Sequence, residues 1–271
     1  MELTDKVAVV VGGAGYIGSA CSRRLAEAGA TVVVADLAAA KIDEIVADIE
    51  AAGGKAIGQV VDVSEEASVV ELVKTTLGEY GRIDSLANVA AALDLAPMDG
   101  DITTMEAEFW DRVMAVNLRG PMLTAKHFLP TMIAQGSGTI VNFTSTAAFA
   151  GDLGLIAYSS SKAAQIGLTR SIATTYGQQG VRCNVIAPSG VWSPELLSIW
   201  PDEMKERFQD CMLTPRLGEA DDVAHLVVYL SSGKASYITG QTFFVDGGSL
   251  VHQPWVRRGS SAGTDFFHQE D

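Results

Sequence analysis

Cysteine is scarce in this chain, and the three present, Cys21, Cys183 and Cys211, form neither an even set nor a Cys-x-x-Cys pair. That spacing excludes a disulfide framework and a zinc knuckle, and buried free thiols are expected. Basic residues are short too: 19 lysines and arginines against 33 aspartates and glutamates give a net charge of −14, with no basic stripe to offset it. Such a surface repels phosphate backbones and anionic lipid, so neither nucleic acid nor membrane is an expected partner. No apolar run approaches the roughly 18 residues of a transmembrane helix. The start, Met1 to Lys6, lacks the basic and apolar regions of a signal peptide, so a cytoplasmic protein is expected. His127, His225 and His252 show no metal spacing, and no metal site is expected.

What is present is an apolar fraction of 48% in 271 residues, enough for a large core. No repeat, low-complexity tract or Pro/Ser linker divides the chain. One α/β domain over 1–249 is expected, with a C-terminal extension, 250–271, either mobile or docked on a neighbouring subunit. Short β-branched runs alternate with amphipathic stretches, the pattern of βαβ units and a parallel sheet. Strands are predicted at 7–11, 31–35, 56–61, 84–88, 138–143, 181–187 and 242–245, all buried on both faces. Helices are predicted at 16–28, 38–51, about 106–134 and 157–177. The stretch from Pro188 to Pro215, with Trp192, Trp200 and two further prolines, is too irregular for a core element. It follows a strand's carboxyl end, where α/β proteins bind ligands.

Directly after the first strand comes Gly12-Gly13-Ala14-Gly15-Tyr16-Ile17-Gly18. Glycine there lets the backbone turn tightly and approach a pyrophosphate, and the following helix offers free N–H groups to the anion. Asp36 ends the second strand, 18 residues past Gly18, where a carboxylate accepts from ribose hydroxyls and repels a 2′-phosphate. NAD is therefore the expected cofactor, over NADP. Asp62, followed by Val63, is a candidate for the adenine amino group, and Asn88 for the ribose region. Each fits an ordinary turn or cap equally well.

Tyr158 and Lys162 lie four apart on a predicted helix and share a face. A free phenol titrates near 10, too high for a base at neutral pH. The Lys162 ammonium and an oxidised nicotinamide are expected to lower it, each worth at most about 4 kcal/mol at 4 Å, or about three pKa units. Ser145, thirteen residues before Tyr158 and just past a strand, can bring a hydroxyl beside the phenol. Asn117 is expected to interrupt the long helix and free a carbonyl for a water that relays protons from Lys162.

Together these residues resemble the classical short-chain dehydrogenase/reductase family, from about Asp5 to Ser249. The likeness extends to Asn88-Val89-Ala90-Ala91, to Pro188-Ser189-Gly190-Val191-Trp192-Ser193 and to Gly240 to Gly248. It implies a seven-stranded doubly wound Rossmann-type sheet, usually in a homotetramer. Gly12, Gly15, Tyr16, Ile17 and Gly18 would form the pyrophosphate loop. Tyr158 would be the acid/base, Lys162 its pKa modifier and ribose ligand, Ser145 the carbonyl stabiliser and Asn117 the water holder. Pro188, Val191 and Ser193 would flank the nicotinamide.

Several positions depart from the family pattern. Val11 replaces a threonine, Tyr16 the middle glycine, Val89 and Ala91 stand in the usual Asn-Asn-Ala-Gly, and Ser189 replaces a glycine. The resulting Gly12-x-x-Gly15-x-x-Gly18 loop is similar to that of nucleotide-sugar epimerases, so an epimerase or dehydratase is one alternative. A non-catalytic NAD-binding redox sensor is another. The expected substrate is a small, mostly apolar secondary alcohol or ketone, cyclic ones included. Its lining would come from Leu93 to Met98, Phe149 to Leu155 and Trp192 to Met212, which are poor in basic groups.

Overall fold

Val7–Val11 (β1) is a run of five small or β-branched residues, every one of them buried. Side chains alternate along a strand, so Val7, Val9 and Val11 enter one core while Ala8 and Val10 enter another. A strand flanked by two cores must lie inside a sheet with both faces covered. In the computed structural model, which describes residues 2–253, β1 is central. The sheet also contains β2 (Thr31–Asp36), β3 (Lys55–Val60), β4 (Ser85–Asn88), β5 (Gly138–Phe143), β6 (Val181–Pro188) and β7 (Thr242–Val245). The order is β3-β2-β1-β4-β5-β6-β7 and all six pairings are parallel.

One face is covered by α1 (Tyr16–Glu27), α2 (Ala39–Ala51) and α9 (Ala220–Ser231). The other carries α3 (Glu66–Tyr80), α5 (Gly120–Gln135) and α6 (Ile156–Tyr176), with α4 (Ala107–Met114) preceding α5. This is the seven-stranded, doubly wound Rossmann-type α/β sheet that the sequence predicts. Two short helices, α7 (Pro194–Ile199) and α8 (Asp202–Asp210), lie in the segment after β6; neither has a buried residue, in keeping with its expected place outside the core.

Two expectations need correction. The outer strands are not buried on both faces: Lys55, Gly58 and Val60 of β3 and Phe244 of β7 are exposed, because an edge strand has a neighbour on one side only. Cys21 and Cys183 are buried, but Cys211, at the end of α8, is exposed. The long helical stretch predicted over about 106–134 is interrupted at Asn117, as the sequence suggested: a π-helical turn, Ala115–Arg119, joins two helices there. At the start of the 250–271 extension Leu250 donates its N–H to Asp246, and His252 Nε2 lies 3.0 Å from the Cys211 carbonyl. The rest of the 250–271 extension, from residue 254, lies outside the described residues.

The fold also answers the departures at strand four. β4 pairs in normal register with β1 and β5, and the Val11 carbonyl accepts from both Val89 and Ala90. Val89, Ala90 and Ala91 thus run on from the strand as a wall at its carboxyl end.

Candidate active site

Strand order reverses at β1, whose neighbours are β2 and β4, so the connections leave on opposite faces and open a crevice at the carboxyl ends. A cavity of about 400 Å³ occupies this place. Gly12, Gly15, Tyr16, Ile17 and Gly18 form one wall, Asp36, Asp62 and Val63 another, and Val191 and Ser193 close it from above.

The glycines there are needed for different reasons. Gly12 has φ +79°, and a Cβ on it would stand 2.5 Å from the Ala90 nitrogen. A Cβ on Gly18 would stand 1.9 Å from the Gly12 carbonyl oxygen. Gly15, at the N-cap of α1, meets only that same oxygen, at 3.4 Å. The loop is thus pressed against α1 and β4, while Gly15 leaves its outer side open to a ligand. That cradle, facing a helix N-terminus, fits the diphosphate of a dinucleotide.

Asp36 fixes the loop as well as lining the cavity. One carboxylate oxygen accepts from Ala14 N–H at 3.0 Å and the other from Leu37 N–H at 2.7 Å. Asp62 makes the turn contact that its sequence also allowed, accepting from the N–H and hydroxyl of Ser64. Asn88 ends β4. Its side chain points inward, accepting from Thr124 and donating to Asn142, which in turn donates to Thr169. Buried amides must be paired, and this internal network gives the Asn88 amide one partner for its nitrogen and one for its oxygen. Ser193 caps α7 through its hydroxyl.

Beside this crevice lies a larger cavity of about 660 Å³, sharing Ile17, Val89, Ala91, Leu93, Val191, Trp192 and Leu196 with it. Ser145, Tyr158 and Lys162 meet in its wall, next to Pro188. Ser145 leaves β5 two residues past its end and caps a short turn, accepting from Ala147 N–H. The Thr144 hydroxyl donates to the Lys162 carbonyl at 2.6 Å, tying this strand end to α6. Ser145 lies beside Tyr158, where its hydroxyl favours the phenolate, and Lys162 Nζ stands 5.6 Å from the centre of the Tyr158 ring.

The electrostatics of the chain alone run against the expected lowering. Burial raises the Tyr158 phenol above its usual value, outweighing the Ser145 hydroxyl beside it. Lys162 is 2% exposed, and burial brings its ammonium down to about 8. An ammonium removed from water and more than 5 Å from the ring does not by itself overcome the phenol's own desolvation.

Asn117 is fully buried at the π-turn. Its side chain accepts from Ala92 N–H and donates to Ser161. Gln165 donates to the Asn117 backbone carbonyl. Sequence reasoning missed Gln165, and it missed Asp99, which accepts from the backbone of Ala157 and Tyr158. Leu250 also lines the larger cavity, although it was assigned to the tail.

All three expected lining segments contribute, with Leu93, Ala96 and Pro97 from the first and Ala150 to Asp152 and Leu155 from the second. The third supplies an aromatic wall. Trp192 packs edge-on to Phe208 at 4.4 Å, and Trp200 stacks on Phe208 at 5.3 Å. The charged residues of the lining are Lys162 and Asp152. Among the described residues no group of three or more His, Cys, Asp or Glu is gathered to hold a metal ion, and no helix is long and apolar enough to cross a membrane.

A family model described as enoyl-(acyl carrier protein) reductase matches residues 12–249. The chain belongs to the classical short-chain dehydrogenase/reductase family. It is 39% identical to a probable short-chain type dehydrogenase/reductase of Bradyrhizobium diazoefficiens, over 95% of this chain and 92% of that protein. It is 35% identical to a 7alpha-hydroxysteroid dehydrogenase of Bacteroides fragilis, over 93% and 97%. A 3-oxoacyl-acyl-carrier-protein reductase of Thermotoga maritima is 33% identical over 93% of this chain and its full length. The chain is thus an oxidoreductase of a family that binds a nicotinamide cofactor and acts on small molecules.

Proposed function

We propose that this chain is an NAD-dependent dehydrogenase that interconverts a secondary alcohol and a ketone, with Tyr158 as acid/base. The observation that carries the reading is the meeting of Ser145, Tyr158 and Lys162 in the wall of an apolar cavity continuous with the glycine-loop crevice. A bound nicotinamide supplies the hydride acceptor or donor, and its oxidised ring brings a positive charge that offsets the burial of the phenol.

In the direction of oxidation Tyr158 accepts the substrate hydroxyl proton, and Ser145 donates to the oxygen as it becomes a carbonyl. Lys162 favours the phenolate and holds the ribose. A carbonyl oxygen has two lone pairs; Gln165 takes one on Asn117, and the second remains for a water that carries the proton outward from Lys162. Gly12, Gly15, Tyr16, Ile17 and Gly18 hold the diphosphate. Asp36 selects NAD, Asp62 and Val63 flank the adenine, and Pro188, Val191 and Ser193 flank the nicotinamide. Asn88, at the carboxyl end of β4, supports the ribose region through its backbone.

The lining favours an uncharged, mostly apolar and cyclic substrate. Trp192, Trp200 and Phe208 offer flat apolar surface, and the one lysine of that lining, Lys162, is buried beside Tyr158 with a donor on the Phe143 carbonyl. A hydroxysteroid, named for the Bacteroides fragilis relative, is a substrate of this kind. An acyl-carrier substrate, named for the Thermotoga maritima relative, brings a phosphate that this lining does not pair.

A homotetramer in the cytoplasm completes the reading. The ring pair of Phe149 and Phe244, each 45% exposed, leaves apolar surface beside β7 for a second subunit, and the buried thiols Cys21 and Cys183 suit a reducing compartment. Light scattering tests the assembly.

The activity is tested by NADH formation from NAD and a panel of aliphatic, cyclic, aryl and steroid-like secondary alcohols, with Tyr158→Phe alongside. A signal lost in the variant, with NAD still bound, is expected. Turnover that survives in Tyr158→Phe overturns the mechanism. Silence across the panel with NAD bound moves the reading to an epimerase or a redox sensor.

A further inference from the structure

The helix that carries Tyr158 begins without a cap of its own. Leu155 stands at the N-cap of α6, is apolar, and takes the left-handed conformation at φ 54°. The first N–H groups of a helix have no partner within it, and left buried they cost stability. Here they are taken by a residue far upstream in the chain. Asp99 accepts from Ala157 N–H through one carboxylate oxygen at 3.0 Å and from Tyr158 N–H through the other at 2.8 Å. Its backbone carbonyl accepts from Leu155 at 3.0 Å. The residue is 6% exposed, so these are bonds of a buried carboxylate whose two oxygens are both engaged.

Asp99 also terminates the 3-10 turn Leu93–Met98, accepted there by the Ala96 carbonyl. Leu93, Ala96 and Pro97 of that turn line the larger cavity. One side chain therefore joins the backbone of the acid/base to a loop that touches substrate.

We propose that Asp99 is a positioning residue of the active site, coupling the substrate loop to the placement of the Tyr158 phenol. The charge suits the task, because an anion at a helix N-terminus is favoured by the helix dipole and shortens its hydrogen bonds to the backbone. The geometry explains the left-handed Leu155 as well: the chain must turn sharply there for Ala157 and Tyr158 to reach Asp99. A residue that only capped the helix would stabilise the fold and leave the kinetics of folded enzyme alone. A coupling residue does more, since displacement of a reacting group by about 1 Å costs up to about a hundredfold in rate.

The inference rests on Tyr158 being the acid/base, and the experiment separates the two. Asp99→Asn and Asp99→Ala are compared with parent and Tyr158→Phe, well below the melting temperature, with rates expressed per folded molecule. Asp99→Asn keeps one acceptor, and kcat is expected to fall on the order of tenfold, with the Kd for NAD unchanged. Asp99→Ala releases the loop too, so KM for the alcohol is expected to rise as kcat falls further. Unchanged kcat and KM in both variants overturn the inference, as does loss of folded protein in both, which makes Asp99 a folding determinant. Turnover surviving in Tyr158→Phe defeats the underlying mechanism; a dead Tyr158→Phe beside unaffected Asp99 variants defeats only the coupling.

Discussion

Lys162 donates its ammonium to the backbone carbonyl of Phe143, the last residue of β5, at 3.0 Å. This neutral partner is all that the described hydrogen bonds give a lysine that is 2% exposed, and burial accordingly pulls its pKa down to about 8. The fold holds a charge it would be more stable without.

Stability follows from that shift with a definite sign. Between about 8 and the usual lysine value the unfolded chain binds the proton and the folded one does not, so stability rises with pH across this window. Below it the penalty is fully present, about 3 kcal/mol for a shift of this size. Lys162→Met removes it and loses one hydrogen bond, worth about 1 kcal/mol. The variant is expected to be inactive yet about 2 kcal/mol more stable at pH 7, an advantage that shrinks by pH 10. Urea melts at the two pH values measure it; a variant less stable than the parent at pH 7 contradicts the assignment.

Gly18 and Gly15 separate packing from binding. A methyl group on Gly18 meets the Gly12 carbonyl at 1.9 Å, and backbone on both sides leaves nothing to yield. Gly18→Ala should cost at least about 1–3 kcal/mol, as overpacking does. A methyl on Gly15 has room within the protein, at 3.4 Å from the same oxygen, but projects toward the crevice. Gly15→Ala should keep the melting temperature and weaken NAD. Equal destabilisation by both would refute the separation.

Local pattern made most of the sheet legible, and long-range contacts hid the rest. Runs such as Val7–Val11 and Thr31–Asp36 announce interior strands, but the same rule hid the exposure of β3, because being last in the order is a property of the assembled sheet. Asn117 could be picked out because a polar residue inside an apolar helix asks for a reason, and the π-turn is that reason. Gln165 and Asp99 could not. Their partners lie 48 and 58 residues away, and neither belongs to a spacing that a helix or strand dictates. The partners of the Asn88 amide were hidden in the same way, since Thr124 and Asn142 are distant in sequence.

Gln165 offers a test of the Asn117 carbonyl. Its nitrogen donates to that carbonyl while its buried oxygen has no partner in the protein. Gln165→Leu loses a bond worth about 1 kcal/mol but also removes an orphaned acceptor that costs about as much or more. Stability should therefore change by less than about 1 kcal/mol. The kinetics should change more, because the carbonyl would then hold its water without a competing donor. An altered solvent deuterium isotope effect on kcat is expected, and an unaltered one removes Asn117 from the proton path.

Cofactor choice turns on Asp36, which has two duties at once. It braces the glycine loop through Ala14 N–H, and it presents negative charge beside Leu37 at the crevice. Asp36→Asn keeps an acceptor for one of these N–H groups and removes the charge. Repulsion between unit charges at about 4 Å is at most about 4 kcal/mol at the surface, and salt screening lowers it, so tenfold to a hundredfold is a reasonable range for the effect. The NAD to NADP ratio of kcat/KM should fall by that much, chiefly through a gain with NADP, and the gain should narrow as salt is added to the parent. If both cofactors instead lose activity in step, bracing of the loop is the dominant duty and selectivity lies elsewhere in the crevice.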